Sequence, residues 1–324
     1  MAAPGKPRHR SGYNREETEQ VEAACLTVAV TLGALMDRLC IVGGLVPSLL
    51  IDRELDPEPE TGAGHPGTND LDVGLAIALL DDDQYTEIGE RLRREGFGPD
   101  RNEQGNPTPQ RWKLGDLDVT IDFLLPPIPG AERGGSIQPL EGDFAALIAP
   151  GLQLASDERL EIEIAGHTLK GEKVQRTVPV CGPATFVVLK ALAFGDRAEP
   201  KDAFDLIYVL RRWPGGVSDI VERLERHAKR NKAVVEDAFD RLTRDFADPE
   251  TLGPRRVAEF EGEAGEDPDA IAADAHGYVD DLLKACAQSG FWRKSEQNRR
   301  AKLDELTSTS TSTRSSAPRR GHRS

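Results

Sequence analysis

Apolar residues recur at helical spacing through Val21, Cys25, Val28, Leu32 and Leu35, which predicts a helix over 17–38. Leu39-Cys40-Ile41-Val42 is a short, wholly apolar run that stops at Gly43-Gly44, as a buried strand does. Pro47 before Leu49-Leu50-Ile51 marks the first turn of another helix. The stretch DPEPETGAGHPGTND is too rich in Pro and Gly for either element and is a predicted loop. A strand follows over 71–77, and Asp81-Asp82-Asp83 are capping candidates for a helix over 85–95 that ends at Gly96. A second strand is expected over 111–113. A third, over 117–125, alternates strictly, with Leu117, Val119, Ile121 and Phe123 on one face and Asp118, Thr120, Asp122 and Leu124 on the other. Pro126-Pro127 ends it.

The second half changes period. Residues 130–143 are predicted to be loop, and 158–180 short strands around turns at Gly166 and Gly171. Gly182-Pro183 opens a helix to Ala193, and a connector holding Arg197 and Pro200 leads to a helix over 201–212. Beyond Pro214-Gly215-Gly216 the pattern is helical and highly charged, with helices expected over 218–229, 231–247, 254–262 and 268–289. The fold class is therefore α/β (α+β), a mixed sheet flanked by helices with a C-terminal helical region. The organisation is a basic tail over 1–15, an α/β domain over 16–215, a helical region over 216–305 and a second basic tail over 306–324, both tails expected to be disordered.

Charge sharpens this picture. The chain carries 41 basic and 56 acidic residues, a net charge of −15. Residues 1–15 and 307–324 hold four basic and no acidic side chains each. The body between the tails is thus more acidic than the whole, with 33 basic residues against 56 acidic ones. Such a body is a poor general binder of nucleic acid, so any polynucleotide must meet a local basic patch, a metal or the tails. Arg223, Arg226, Lys229, Arg230 and Lys232 form one such local cluster, against the plainer reading of a solvated helix face. Cys25, Cys40, Cys181 and Cys286 are scattered without a CxxC pair, which fits reduced, buried thiols of a cytoplasmic protein. No signal peptide and no apolar run near membrane length is read, so no membrane partner is expected.

The chemistry concentrates in Thr68-Asn69-Asp70-Leu71-Asp72. In an extended segment, Asp70 and Asp72 project from one face. Two carboxylates that close repel unless a cation lies between them. A third carboxylate from the neighbouring strand would complete a cup for a hard cation such as Mg2+ and a substrate phosphate. Asp122 is the choice for it, as metal ligand or as proton acceptor; Asp118 shares its face, and Asp116 falls in a turn. Gly43 and Gly44 leave room for a triphosphate against the backbone. Oxygens splayed apart, or buried and occupied by arginine partners, would overturn the enzymatic reading.

In order along the chain, Gly43-Gly44, Asp70-x-Asp72, the third acidic strand and then Lys190-Ala191-Leu192-Ala193-Phe194-Gly195-Asp196-Arg197 with Lys201-Asp202-Ala203-Phe204-Asp205-Leu206 resemble the AbiEii/AbiGii toxin group of nucleotidyltransferases, within the polymerase-β-like fold. The likeness spans about residues 20–212. It differs from the group's pattern in Leu45, where a hydroxyl usually follows the glycines, and in the long loop before Asp70. The resemblance implies a nucleotidyltransferase that moves an NMP from an NTP to an acceptor hydroxyl with Mg2+. It implies the toxin of a toxin–antitoxin module, acting on RNA or tRNA and neutralised by an antitoxin protein. Asp70, Asp72 and Asp122 would be the catalytic and metal-binding residues. Gly43, Gly44, Lys190, Arg197 and Lys201 would bind the nucleotide, with Asp202 and Asp205 orienting the bases or touching it. Two other readings stand beside this one: a nucleotidyltransferase for an aminoglycoside-like small molecule, and a nucleotide- or partner-binding module without turnover. His65 and Thr68 flank the acidic pair; His65 is either a substrate contact or incidental, and Thr68 is placed to bond a phosphate or a carboxylate.

Overall fold

Asn14 starts the first helix, α1 (Arg15–Leu32), by accepting the Glu17 backbone N–H at 2.8 Å. Gly33, at φ 57°, ends it. The structure, a computed structural model, describes residues 7–51, 64–75, 82–117, 119–130, 133–262 and 267–292. By length and composition the span Arg15–Arg38 is apolar enough to cross a bilayer, a run the sequence reading did not register. Here Val21, Ala24, Cys25, Val28 and Leu32 are buried in the core beside the sheet.

The chain continues through β1 (Leu39–Val42), a 3-10 turn at Gly43–Leu45, α2 (Val46–Leu50), β2 (Asp70–Leu75), α3 (Asp82–Glu95), β3 (Phe97–Arg101), β4 (Pro107–Leu114) and β5 (Thr120–Leu125). Then come β6 (Ile137–Glu141), β7 (Phe144–Ile148), α4 (Leu154–Asp157), β8 (Arg159–His167) and β9 (Lys173–Cys181). Six helices close the described chain: α5 (Pro183–Arg197), α6 (Pro200–Arg212), α7 (Gly216–Arg230), α8 (Lys232–Asp245), α9 (Leu252–Glu261) and α10 (Pro268–Ser289). The nine strands form one mixed sheet in the order β3-β4-β5-β2-β1-β9-β8, with β7 also pairing β5 and β6 pairing β7. The fold class read from the sequence is the one observed.

Two registers place the site. β2 runs parallel to β5 with Asp72 opposite Asp122, and antiparallel to β1 with Asp72 opposite Val42. On β5, Ile121, Phe123 and Leu125 are buried while Thr120, Asp122 and Leu124 stay partly exposed, as the alternation predicted. Asp118, the rival third carboxylate, lies outside the described residues, as do Asp81 and the side chain of Asp82 among the capping candidates.

Several elements depart from the sequence reading. β3, β6 and β7 were not expected, and 158–180 is one long hairpin turning at Gly171, with Gly166 inside its first strand. α5 carries on to Arg197, so that residue stands on a helix rather than in a connector. The expected break near residue 215 does not mark a change in packing. Ala184, Val187, Ala191, Leu206 and Leu210 of α5 and α6 already share one hydrophobic cluster with α7–α10. Phe186, Phe204 and Tyr208 of the same two helices join the cluster around the sheet. Of the two basic tails, residues 1–6 and 306–324 lie outside the described residues. Residues 7–15, expected to be disordered, pack against the body: Tyr13 is buried and Arg8 pairs with Glu259 at 2.7 Å. All four cysteines are buried and free.

Candidate metal centre and its cationic support

At the end of β1 the chain must turn sharply away from the sheet, and Gly43 does this at φ 74°, where L side chains are strained. A methyl group there would stand 1.8 Å from Asp72 Oδ2. Glycine therefore permits both the turn and the close approach of the carboxylate. A methyl on Gly44 would meet Thr68 Oγ1 at 2.5 Å and Lys201 Nζ at 3.6 Å. The glycine pair is thus wedged between the acidic strand and α6, at the foot of the site. Leu45, where the resembled group has a hydroxyl, is buried in the core. The hydroxyl beside the glycines comes from Thr68, which donates to Asp70 Oδ1 at 3.1 Å and so bonds a carboxylate.

Asp70, Asp72 and Asp122 each offer a carboxylate oxygen, and the three oxygens lie within 4.8 Å of one another. Asp70 is buried and the other two are half-buried. Hard anionic oxygens gathered this closely suit a divalent cation, so the three carboxylates can bind a metal ion. Sequence reasoning missed the cation that already faces them. Arg111 of β4 lies directly opposite Asp122 and forks onto it, Nε to Oδ1 at 2.7 Å and Nη2 to Oδ2 at 2.5 Å. Its Nη2 also reaches Asp70 Oδ2 at 4.0 Å. The hydrogen bonds it donates to Asp122 hold the guanidinium more firmly protonated than usual. The oxygens are therefore not splayed apart, but Arg111 engages both oxygens of half-buried Asp122 and lies within ion-pair reach of Asp70. Since each carboxylate oxygen has two lone-pair directions, the fork leaves directions open on Asp122.

The cations of the second motif sit behind this cup. Lys190 is buried and donates to Asp202 Oδ1 at 2.9 Å and Asp205 Oδ2 at 2.7 Å. Lys201 is buried beneath the Tyr13 ring and donates to both Asp205 oxygens, at 2.7 and 2.9 Å. Arg197 forks onto Asp202 at 2.5 and 2.9 Å, yet its side chain is 48% exposed. Burial opposes the charge on Arg197, but the Asp202 bond and then the charges of Asp202, Asp72 and Asp70 hold it protonated, which puts this arginine at the rim of the acidic cup. Of the expected phosphate-binding bases, Arg197 thus faces outward. Lys190 and Lys201 are interior and committed to carboxylates. Burial opposes the ionised form of Asp202 and Asp205, but Lys190 leads the partners that depress both well below the usual carboxylate range.

His65 ties the loop before β2 to this network. Its Nε2 lies 2.9 Å from Asp205 Oδ1, while its Nδ1 accepts the Gly67 backbone N–H at 3.1 Å, so the ring donates from Nε2. It packs on Phe204 and Tyr208. This histidine is a structural clasp between residues far apart in the chain, neither incidental nor aimed at substrate. Burial, and then Lys201, lower its pKa from 6.5 to about 4. Because the unfolded chain binds a proton there first, stability falls as pH drops from about 6.5 toward 4. At about 1.36 kcal/mol per pH unit, this amounts to roughly 3 kcal/mol. Asp205, whose folded pKa is depressed, loses its contribution only at lower pH. Urea unfolding across that window should show the decline in the wild type and a flatter profile in His65→Gln. Equal slopes would mean the ring titrates normally.

His227 and His276 are structural. His227 lies buried between Glu158 at 3.1 Å and the Thr185 hydroxyl at 3.2 Å, and His276 donates from Nδ1 to the Phe246 carbonyl at 2.9 Å. Trp112 is in the core. No protein-family model and no curated protein matches the chain.

Proposed function

We propose that this chain is a Mg2+-dependent nucleotidyltransferase that moves an NMP unit from an NTP to an acceptor hydroxyl and releases pyrophosphate. The observation that carries this reading is the convergence of Asp70, Asp72 and Asp122, from two parallel strands, beside a glycine turn. Those three carboxylates would hold the metal. When bound, Mg2+ would neutralise charge on the transferred phosphoryl and activate the attacking hydroxyl. The chain's own residues do the rest. Gly43 and Gly44 leave the backbone bare where a triphosphate would approach. Arg197, exposed at the rim, supplies positive charge for the phosphates, and Asp202 aims its guanidinium. Lys190, Lys201 and His65 fix α6 and the loop before β2, and thereby the Asp70–Asp72 pair.

The resemblance to the AbiEii/AbiGii group makes a growth-blocking toxin acting on RNA or tRNA, with a neutralising protein partner, the leading form of this proposal. Incubation with labelled NTPs and either total tRNA or aminoglycosides, with and without a chelator, tests it. Metal-dependent label on tRNA is expected. Label on the drug alone would move the acceptor to small molecules, and no label on either would end the enzymatic reading.

One observation favours a second reading. The Arg111 fork supplies Asp122 with a cation of its own, as a nucleotide- or partner-binding module without turnover would allow. Arg111→Gln separates the two. A unit charge some 4 Å away is worth several kcal/mol even at an effective dielectric of 20, so its removal should tighten Mn2+ binding by at least about tenfold. Electron paramagnetic resonance of free Mn2+ reads this directly. A cup that binds no Mn2+ in either form favours the module.

A further inference from the structure

Where α4 meets β8, the chain and one face of α7 enclose a cavity of about 390 Å³. Arg159, Arg223, Arg226, Lys229 and Arg230 line it, against the acids Asp157 and Glu158. In a chain of net charge −15 this is a local reversal of sign. Much of the charge is already matched. Arg223 pairs with Asp219 at 2.8 Å and Glu158 at 3.3 Å, Arg230 with Asp157 at 3.3 Å, and Lys229 with Glu225 at 3.3 Å. Glu158 also accepts the Thr185 backbone N–H at 2.7 Å, so it acts as a strut under the pocket.

Arg159 and Arg226 differ from the rest. Among the described residues neither has a carboxylate within ion-pair distance. Arg159 donates from Nη1 to the neutral Asp37 carbonyl at 2.6 Å, which fixes the side chain without cancelling its charge. Arg226 is exposed on α7, one turn from Arg223 and Arg230.

The pocket also has a defined place relative to the carboxylates. Asp122 is opposite Asp72 and Asp72 opposite Val42; Ile41 is opposite Val180, which sets Val42 beside Cys181; and Cys181 is opposite Arg159. Side chains in one such row share a face. Arg159 therefore stands on the same face and at the same end of the sheet as the aspartates. It is three strands from Asp72, or about 14 Å at roughly 4.8 Å per strand.

We infer that this pocket is an oxyanion site in which the Arg159 and Arg226 guanidiniums take a phosphate group. Planar guanidiniums in a walled cavity suit the oxygens of a phosphate, whether from a free phosphorylated molecule or from a polynucleotide backbone. Its use as a station for the acceptor rests on the proposed nucleotidyl transfer; its affinity for phosphate does not.

The test measures binding of inorganic pyrophosphate by calorimetry and of a single-stranded RNA oligomer by fluorescence anisotropy across a salt series. It compares the full chain with Arg159→Ala/Arg226→Ala. A control, Lys173→Ala/Lys284→Ala, removes the same charge elsewhere. Loss of the pocket arginines should weaken binding at least about tenfold and, for the oligomer, lower the salt slope by about 1.4. Pyrophosphate binding alone assigns a small phosphorylated ligand, and binding of the oligomer in competition with it assigns a backbone. Arg226→Glu, at an exposed position, gives the same readout if Arg159→Ala does not fold. The inference is overturned if the wild type binds neither probe, or if the control pair loses as much. Repeating the comparison in the Asp70→Asn/Asp72→Asn background separates the two proposals. If the arginine-dependent binding persists there while NTP labelling of the wild type fails, the transferase reading falls and the oxyanion site stands. If it vanishes there, the phosphate was held at the carboxylate site and the inference falls.

Discussion

Asp70→Asn/Asp72→Asn should abolish NTP labelling, by about a thousandfold or more, while the protein stays folded and becomes no less stable. The first half follows from the role proposed for the pair. Amide oxygens are neutral, and metal-borne stabilisation of a transferring phosphoryl is worth several kcal/mol, each 1.36 kcal/mol being tenfold in rate. The second half follows from the geometry. Three carboxylate oxygens within 4.8 Å repel one another, by roughly 3 kcal/mol or more per pair at an effective dielectric of 20. Asparagine keeps the shape of aspartate and the Oδ1 that accepts from Thr68, so packing around buried Asp70 survives. An acidic pair kept for structure would show the opposite combination, lost stability with retained labelling. Labelling by NTP and thermal melting, each done on both proteins, distinguish the two outcomes. Full labelling by the double variant would remove these aspartates from the chemistry.

How far the site was legible depended on whether its partners lie on one strand or across several. The alternation on β5 gave the buried and half-buried faces correctly, because period-2 patterning reports burial directly. The apolar periodicity of α10 gave its limits as well. Among the described residues β3, with the sequence FGPDR, pairs only with β4, and its Gly and Pro read as punctuation. Among the described residues β6 pairs only with β7; it carries Pro139 at a register shift and shows no clean alternation of burial. Such edges are held by backbone ladders that a side-chain pattern does not reveal. The Asp70–Asp72 spacing was readable, but the fork of Arg111 was not. That contact depends on which residue of β4 lies opposite Asp122, and register is a property of two strands. His65 is the extreme case, since its partner Asp205 is 140 positions away. Lys190 and Lys201 stood out in the sequence as candidate phosphate contacts, but from sequence an interior lysine held by aspartates looks the same as one aimed at a phosphate.

That distinction underlies the second large effect, at Asp205. The carboxylate is fully buried and accepts from Lys190, from Lys201 twice and from His65. Asp205→Asn leaves its shape in place and deletes the one charge that both lysine ammonium groups share. Stripping one partner from a buried ion network costs about 3–5 kcal/mol, because the remaining charges stay desolvated without compensation. Against a typical domain stability of 5–15 kcal/mol this is a large fraction, readable as a clear fall in the urea midpoint. A change below about 1 kcal/mol would mean that the lysines find water or Asp202 instead, and that the network does not hold α6. The same substitution bears on function through position alone. His65 hangs from Asp205, Gly67 hangs from His65, and Asp70 follows three residues later. Asp205→Asn should therefore loosen Mn2+ binding at the cup even in the fraction that remains folded, although Asp205 itself touches no metal ligand. Arg197→Ala, which leaves Asp205 with all of its partners, should instead leave Mn2+ affinity undiminished and weaken the NTP, so the two variants separate support of the cup from contact with the phosphates.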